Sequence, residues 1–258
     1  MINSPRIDSH AHVWDRSCVF VADARYRPDY EATITEYLKL LDAHQIEQAV
    51  LVQPSFLGTD NTYLLECLNA HPDRLRGIVM LEPATEGTEI EALAEQGVIR
   101  TRYNLLSLSS DRLADADYRG LTERLISAGL WIEVQTHGQD WPEVLPLMAS
   151  ARLMIDHFGK PSGPDCTGFR AILSRDPART CVKLSAPYRQ TTKDMMPIAR
   201  RLLDQFGPGQ CLWGSDWPWT QHEGMHDYDT TLRWLTEWTS DEERTVMQNA
   251  APGLLNFE

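Results

Sequence analysis

Short apolar segments alternate with longer amphipathic segments along the whole of this 258-residue chain. Eight of the short segments are rich in β-branched and other apolar side chains, which is typical of buried strands. Their starts lie about 20 to 40 residues apart, the room that a strand, a helix and two loops need in a βαβ unit. The predicted strands are Arg6–Asp8, Gln48–Gln53, Arg76–Glu82, Val98–Leu105, Leu130–Thr136, Leu153–His157, Cys181–Ala186 and Cys211–Ser215.

The longer segments carry apolar residues at helical spacing, as in Ala32–His44 and Thr192–Phe206. Two aspartates precede such segments and predict N-caps, and three glycines stand where helices are expected to end. These residues are Asp60, Asp140, Gly97, Gly129 and Gly207. Because no linker-like segment divides the chain, we predict an α/β fold with one (β/α)₈ TIM barrel domain over residues 1–258. Periodicity alone leaves a six-stranded sheet open.

The charge balance narrows the expected partners. The chain has 24 Lys and Arg against 37 Asp and Glu, a formal net charge of −13. Such a surface repels phosphate backbones and anionic lipids, so we expect neither a nucleic acid nor a membrane as partner. Five widely spaced cysteines without a Cys-x-x-Cys pair, and no signal peptide or long apolar run, predict a soluble cytoplasmic protein. A homo-oligomer stays open.

Polar residues follow the predicted strands, where a barrel of this type forms its active site. His10 and His12 alternate along an extended segment, so their imidazoles face the same side. His157 and Asp216 end later strands. Core histidines, and an N-cap before Pro218, are the structural alternatives. Taken together, the four residues predict a catalytic centre with Asp216 as general base and the histidines as carbonyl polarisers.

A second group of polar residues predicts substrate binding at the same mouth. Arg102 and Arg189 could each bind a substrate carboxylate bidentately, although a structural ion pair is the alternative for both. Tyr26 lies in the long loop after the first strand, where its hydroxyl could meet the same anion or simply pack. Gln53 and Gln135, at the ends of the second and fifth strands, complete the predicted substrate contacts.

The four catalytic side chains could instead hold one Zn²⁺ or Mn²⁺. Three imidazoles and a carboxylate make an acceptable ligand shell, with a place left for water. The fifth strand offers no ligand in register with them, so we expect that no metal is required. The sequence also lacks a Gly-x-Ser-x-Gly elbow and a glycine-rich phosphate loop, which argues against those mechanisms.

Four segments resemble motifs of the amidohydrolase superfamily. They are Ile7–Trp14, Met154–Pro161, Val182–Ser185 and Leu212–Pro218. Within that superfamily the chain is similar to the amidohydrolase-2 branch, which contains the 2-pyrone-4,6-dicarboxylate lactonases and the sugar lactonases, from Ile7 to about Phe257. The resemblance implies a (β/α)₈ hydrolase in which histidines polarise a lactone carbonyl and an aspartate activates water without a metal. It also implies that Tyr26, Arg102 and Arg189 contact carboxylates.

The chain departs from that pattern at two substrate positions. Leu108 stands where the dicarboxylate lactonases have a second arginine, and Gln135 stands where they have a tyrosine. His137 falls two residues late for the superfamily's metal ligand on the fifth strand, which argues against a binuclear centre. The resemblance therefore favours a related lactone, such as a mono-anionic one, over the pyrone dicarboxylate itself.

The leading hypothesis is a hydrolase that opens a small carboxylated lactone, such as a pyrone or muconolactone-type intermediate of aromatic degradation. A metal-dependent sugar lactonase and a non-oxidative decarboxylase of the same superfamily are the enzymatic alternatives. A barrel that binds a carboxylated ligand without turnover is the non-enzymatic one. If Asp216 is only an N-cap, His222 is the next candidate for the base.

Overall fold

The computed structural model describes residues 6–106 and 109–257. Eight parallel strands form one sheet in chain order, which confirms the (β/α)₈ prediction and rules out the six-stranded alternative. The extent of the domain as 1–258 stays a prediction. The strands are β1 Ile7–Ala11, β2 Gln48–Val52, β3 Leu75–Val79, β4 Val98–Asn104, β5 Trp131–Gln135, β6 Leu153–Ile155, β7 Thr180–Ser185 and β8 Cys211–Gly214.

Helices connect successive strands on the outside of the sheet. Within the described residues they are α1 Ile34–Ala43, α2 Thr62–Ala70, α3 Gly87–Glu95, α4 Ala116–Ser127, α5 Trp141–Leu147, α6 Thr167–Leu173, α7 Met196–Phe206, α8 Tyr228–Trp238 and α9 Asp241–Leu254. None of these helices is long and apolar enough to cross a membrane. Their inner faces pack on the strands in one continuous hydrophobic cluster.

The helix ends largely follow the sequence prediction. Thr33 and Glu36 form a capping box, so α1 begins just inside the predicted segment. Asp60 accepts a hydrogen bond from the backbone N–H of Thr62 at the start of α2, whereas Asp140 precedes α5 without a capping bond. The three predicted glycines follow α3, α4 and α7 with φ of 88°, 73° and 76°.

Two strands, β3 and β6, end more than one residue before their predicted ends. β3 ends at Val79 because the side-chain amide of Asn61 takes both backbone groups of Met80, donating to its oxygen at 2.8 Å and accepting from its nitrogen at 3.2 Å. β6 ends before His157, whose φ of 50° is incompatible with a strand.

The first strand is longer than predicted and closes the barrel. β1 continues through the polar residues after Ile7 because Asp8 accepts buried hydrogen bonds. Its Oδ2 accepts from the Tyr37 and Tyr228 hydroxyls at 2.8 and 2.9 Å. The Ser215 N–H also donates to Asp8, at 2.8 Å. On the other side of the seam, the backbone of β1 pairs with the segment just after β8. The barrel closure therefore lies directly under the predicted catalytic residues.

Glycines allow the turns above β5 and β6 to touch. A Cβ on Gly168 would lie 1.6 Å from the carbonyl oxygen of Gly138, and a Cβ on Gly138 would lie 2.1 Å from that of Lys160. The start of α6, the turn after β5 and the turn after β6 therefore meet backbone to backbone. Any side chain at these two positions would push the turns apart.

We expect Gly168→Ala to lower the free energy of unfolding by about 1–3 kcal/mol, because α6 must move away from the turn at Gly138. In a chain of this size that corresponds to a fall of roughly 2–12 °C in Tm, which calorimetry measures. Gly87→Ala is the matched control, because a Cβ there meets nothing within 4 Å. Equal Tm values for the two variants would contradict the tight contact.

Candidate active site

A cavity of about 360 Å³ opens at the carboxyl ends of the strands. Seven of the predicted site residues line it, and His10 lies directly beneath them. The seven are His12, Tyr26, Arg102, Gln135, His157, Arg189 and Asp216. The structure therefore brings these seven side chains together at one mouth. Gln53 is the predicted substrate contact that does not line the cavity.

Asp216 lies at the base of this cavity and faces all three predicted histidines. Its Oδ1 is 3.6, 3.7 and 3.8 Å from the Nε2 atoms of His10, His12 and His157. These distances exceed a hydrogen bond, and Oδ1 has no hydrogen-bond partner among the described residues. The carboxylate oxygen and the three nitrogens thus surround a common point where another small group can bind.

The other oxygen of Asp216 is fully engaged. Oδ2 accepts hydrogen bonds from Arg189 Nε at 2.6 Å and from the Tyr188 hydroxyl at 2.5 Å. Burial alone would raise the pKa of Asp216, but the Arg189 guanidinium and His157 hold it well below its ordinary value. Asp216 is therefore ionised at neutral pH, and only Oδ1 is directed at the centre.

Hydrogen bonds on the outer nitrogens determine where the protons of two imidazoles lie. His12 Nδ1 is 2.7 Å from the Val52 carbonyl, which can only accept, so Nδ1 carries the proton and Nε2 has a lone pair. Lys183 Nζ is 3.0 Å from His10 Nδ1. Because an ammonium can only donate, His10 carries its proton on Nε2. These two Nε2 atoms are 3.3 Å apart and form a donor–acceptor pair.

His157 is also held as a neutral imidazole. Burial lowers its pKa to about 3, against the raising effect of Asp216 and Asp156. Its Nδ1 lies 2.8 Å from the Ser185 hydroxyl, which can donate to it. When Ser185 donates, His157 presents an Nε2–H to the centre, as His10 does.

Beneath the histidines, two acidic and two basic side chains form a buried charge cluster that the sequence reasoning missed. Lys183 contacts Glu133 directly and lies 3.6 Å from Asp156 Oδ1. Arg102 contacts Asp156 at 3.1 Å and Glu133 at 3.6 Å. Burial and the Asp156 carboxylate raise the pKa of Glu133 to about 7, while Lys183 and Arg102 oppose this. The signal that could have found the cluster is a charged residue inside a predicted buried strand.

The predicted substrate contacts have different surroundings. Arg102 donates to Gln135 Oε1 at 2.8 Å, so both arginines form contacts within the chain while lining the cavity. The Tyr26 hydroxyl donates to Glu223. Gln53 faces away from the cavity in its hydrogen bonding, because its amide donates to the carbonyls of Gly58 and Asp60 at 3.2 and 2.7 Å and holds the loop after β2.

Leu108, the predicted departure after β4, lies outside the described residues. His137 and His222 both line the cavity. The ring of His222 lies 4.8 Å from that of Tyr188, whose hydroxyl donates to Asp216 Oδ2.

Within residues 6–106 and 109–257, two groups of side chains bring ligand atoms close enough to hold a metal ion. One is His10, His157 and Asp216, whose ligand atoms lie within 4.8 Å of one another. The other is His10, Glu133 and Asp156, but Lys183 already lies among these three. In the first group, the nitrogen and oxygen donors suit a divalent ion, whereas the proton on His10 Nε2 does not.

Comparisons with known proteins match the whole barrel. A family model described as Amidohydrolase matches residues 7–251. A solved structure assigned as a 2-pyrone-4,6-dicarboxylic acid hydrolase from Pseudomonas putida is 35% identical with a TM-score of 0.90, covering 98% of each chain. The 2-pyrone-4,6-dicarboxylate hydrolase of Comamonas testosteroni is 24% identical over 86% of this chain and 78% of its own length. The 4-sulfomuconolactone hydrolase of Rhizobium radiobacter is 28% identical over 85% of this chain and 77% of its own length.

We expect Lys183→Met to lower the free energy of unfolding by about 3–5 kcal/mol, because it leaves buried carboxylates without their counter-charge. Adding Glu133→Gln removes one of those carboxylates, so the double variant should cost less than the sum of the two single variants. Urea unfolding of the four proteins measures this.

Lys39→Met, on the exposed face of α1, is the control and should change stability by less than about 0.5 kcal/mol. Strictly additive costs for Lys183 and Glu133 would contradict the buried pair.

Proposed function

The chain belongs to the amidohydrolase family, as its motifs predicted, and we propose that it hydrolyses the ester bond of a small lactone that carries an anionic group. The observation that carries this proposal is the ionised Asp216 Oδ1, facing three imidazoles at the base of a polar cavity. The names of two relatives support it, since both denote lactones with carboxylate or sulfonate substituents. A lactone intermediate of aromatic-compound degradation is the substrate class we propose.

Asp216 is the general base in this proposal. Its Oδ1 takes a proton from a water molecule, and the hydroxyl oxygen attacks the lactone carbonyl carbon. When the tetrahedral intermediate collapses, the ring C–O bond breaks and the leaving oxygen takes the proton from Asp216. The hydrogen bonds that Arg189 and Tyr188 donate to Oδ2 keep the carboxylate from rotating, so Oδ1 stays directed at the water.

The imidazoles divide the remaining work according to their protons. When substrate binds, the His10 Nε2–H turns from His12 Nε2 to the carbonyl oxygen as it becomes an oxyanion. The His157 Nε2–H donates to the same oxygen when Ser185 donates to Nδ1. His12 has a lone pair on Nε2, so it accepts a hydrogen bond from the water and orients it. Each imidazole thus has a role that its proton position dictates.

A divalent ion is the alternative electrophile. His10, His157 and Asp216 would hold it, with His12 as the fourth predicted ligand, and it would supply Lewis-acid polarisation of the lactone carbonyl. Our proposal is that the side chains suffice, because His10 presents a proton to the centre where a ligand needs a lone pair.

The remaining properties fit a small-molecule enzyme. All five cysteines are free thiols, which a reducing cytoplasm maintains, and we propose that compartment.

The direct test of the function is to incubate the protein with a panel of carboxylated and neutral lactones and to measure proton release. Ring opening with the gain of one water supports the proposal, whereas CO₂ release would identify a decarboxylase and saturable heat without product a binding protein.

We expect Asp216→Asn to reduce kcat by about 10²–10⁴ while substrate still binds, because the amide keeps the shape and loses the basicity. Steady-state kinetics on the best lactone of the panel measure this. Asp73→Asn, at an exposed position, is the control. Near-normal turnover by Asp216→Asn would leave Asp216 as a structural residue and make His222 the next base to test.

We also expect activity to survive removal of metal. The protein is dialysed against a chelator, its zinc and manganese content is measured by elemental analysis, and kcat is compared before and after. An unchanged kcat in metal-free protein is the expected result. Stoichiometric metal, with activity lost on stripping and regained on readdition, would overturn the metal-free reaction.

A further inference from the structure

Four cationic side chains line the cavity of a protein whose net charge is −13. They are Arg25, Arg102, Lys160 and Arg189. Two of them are balanced inside the chain, since Arg102 contacts Asp156 and Arg189 contacts Asp216. Those carboxylates belong to the charge cluster and to the catalytic centre.

Lys160 is placed differently. Its Nζ donates to the backbone carbonyl of Arg189 at 3.2 Å, and no carboxylate of residues 6–106 or 109–257 lies within 4.0 Å of it. Burial and the nearby Arg189 charge lower the pKa of Lys160 to about 8. The ammonium is thus half-buried beside other cations with only a neutral acceptor.

The backbone ties Lys160 to the catalytic centre. Residues 157–160 form a left-handed turn, with φ of 50°, 59°, 75° and 51°, and the Lys160 N–H donates to the His157 carbonyl at 3.0 Å. The close approach of Gly138 holds this turn from the other side. His157 and Lys160 therefore keep a constant spacing. A small lactone ring likewise fixes the distance between its carbonyl and its substituent, so the two residues can contact both groups at once.

We propose that Lys160 is the anchor for a carboxylate substituent of the substrate, which it binds next to Arg189 while the lactone carbonyl meets His157 and Asp216. This inference rests on the proposed function and adds the residue that selects the charged substrate. Asp216 and Asp156 act on the ammonium only from a distance. A substrate carboxylate there would contact it directly and gain a charge-assisted hydrogen bond.

The test compares γ-butyrolactone with the same ring bearing a carboxylate, and it measures citrate binding by calorimetry as a probe that needs no turnover. We expect Lys160→Met to raise KM for the carboxylated lactone and Kd for citrate by about 10- to 100-fold, the usual worth of a hydrogen bond to a charged group. The kcat/KM for the neutral lactone should change by less than about twofold.

Lys160→Arg keeps the positive charge, so its KM for the carboxylated lactone and its Kd for citrate should return most of the way to the values of the unsubstituted protein. Lys39→Met should match the unsubstituted protein in every assay. Equal losses on the neutral and carboxylated lactones, or an unchanged citrate Kd in Lys160→Met, would overturn the role of Lys160. If the unchanged chain hydrolyses no lactone, the proposed function fails, while the citrate measurement still decides whether Lys160 binds carboxylates.

Discussion

The arrangement of the active site depends on one buried ammonium, that of Lys183. It lies inside the barrel among Glu133, Asp156 and His10, where an isolated charge would be very costly. With Arg102 it offsets the charges of the two carboxylates. Because the same ammonium donates to His10 Nδ1, it also determines which nitrogen of His10 faces the reacting atoms. The charge balance of the core and the chemistry of the site therefore have a common origin.

The site also requires backbone conformations that side chains other than glycine rarely adopt. Asp216, His157 and Lys160 all have positive φ, at a cost of roughly 1–2 kcal/mol each. The surrounding structure maintains them. Asp216 is held by its N–H bond to the His10 carbonyl at 2.8 Å, and the turn after β6 is held where Gly138 and Gly168 let backbones touch. Strain is thus concentrated at the residues whose positions the reaction depends on.

Electrostatics separate the cavity from the rest of the surface. The chain as a whole repels anions, yet the mouth of the barrel brings four cationic side chains together. An anionic lactone is therefore favoured at the mouth and disfavoured elsewhere, which suits a site that must bind a charged group and release a more negatively charged product.

The sequence by itself determined the barrel and the location of the site. Hydrophobic periodicity reports secondary structure directly, and alternation along an extended segment is a local property, so the spacing of His10 and His12 was enough to predict that they converge. Only the tertiary structure decided the partners. Glu133 and Lys183 are 50 residues apart and meet because of the register between strands, which no local pattern encodes. The closure of the eight strands likewise decided other contacts that the sequence could not predict. They are the ion pairs of Arg102 and Arg189, the hydrogen bonds of Gln53 to its loop and the position of Lys160 beside Arg189.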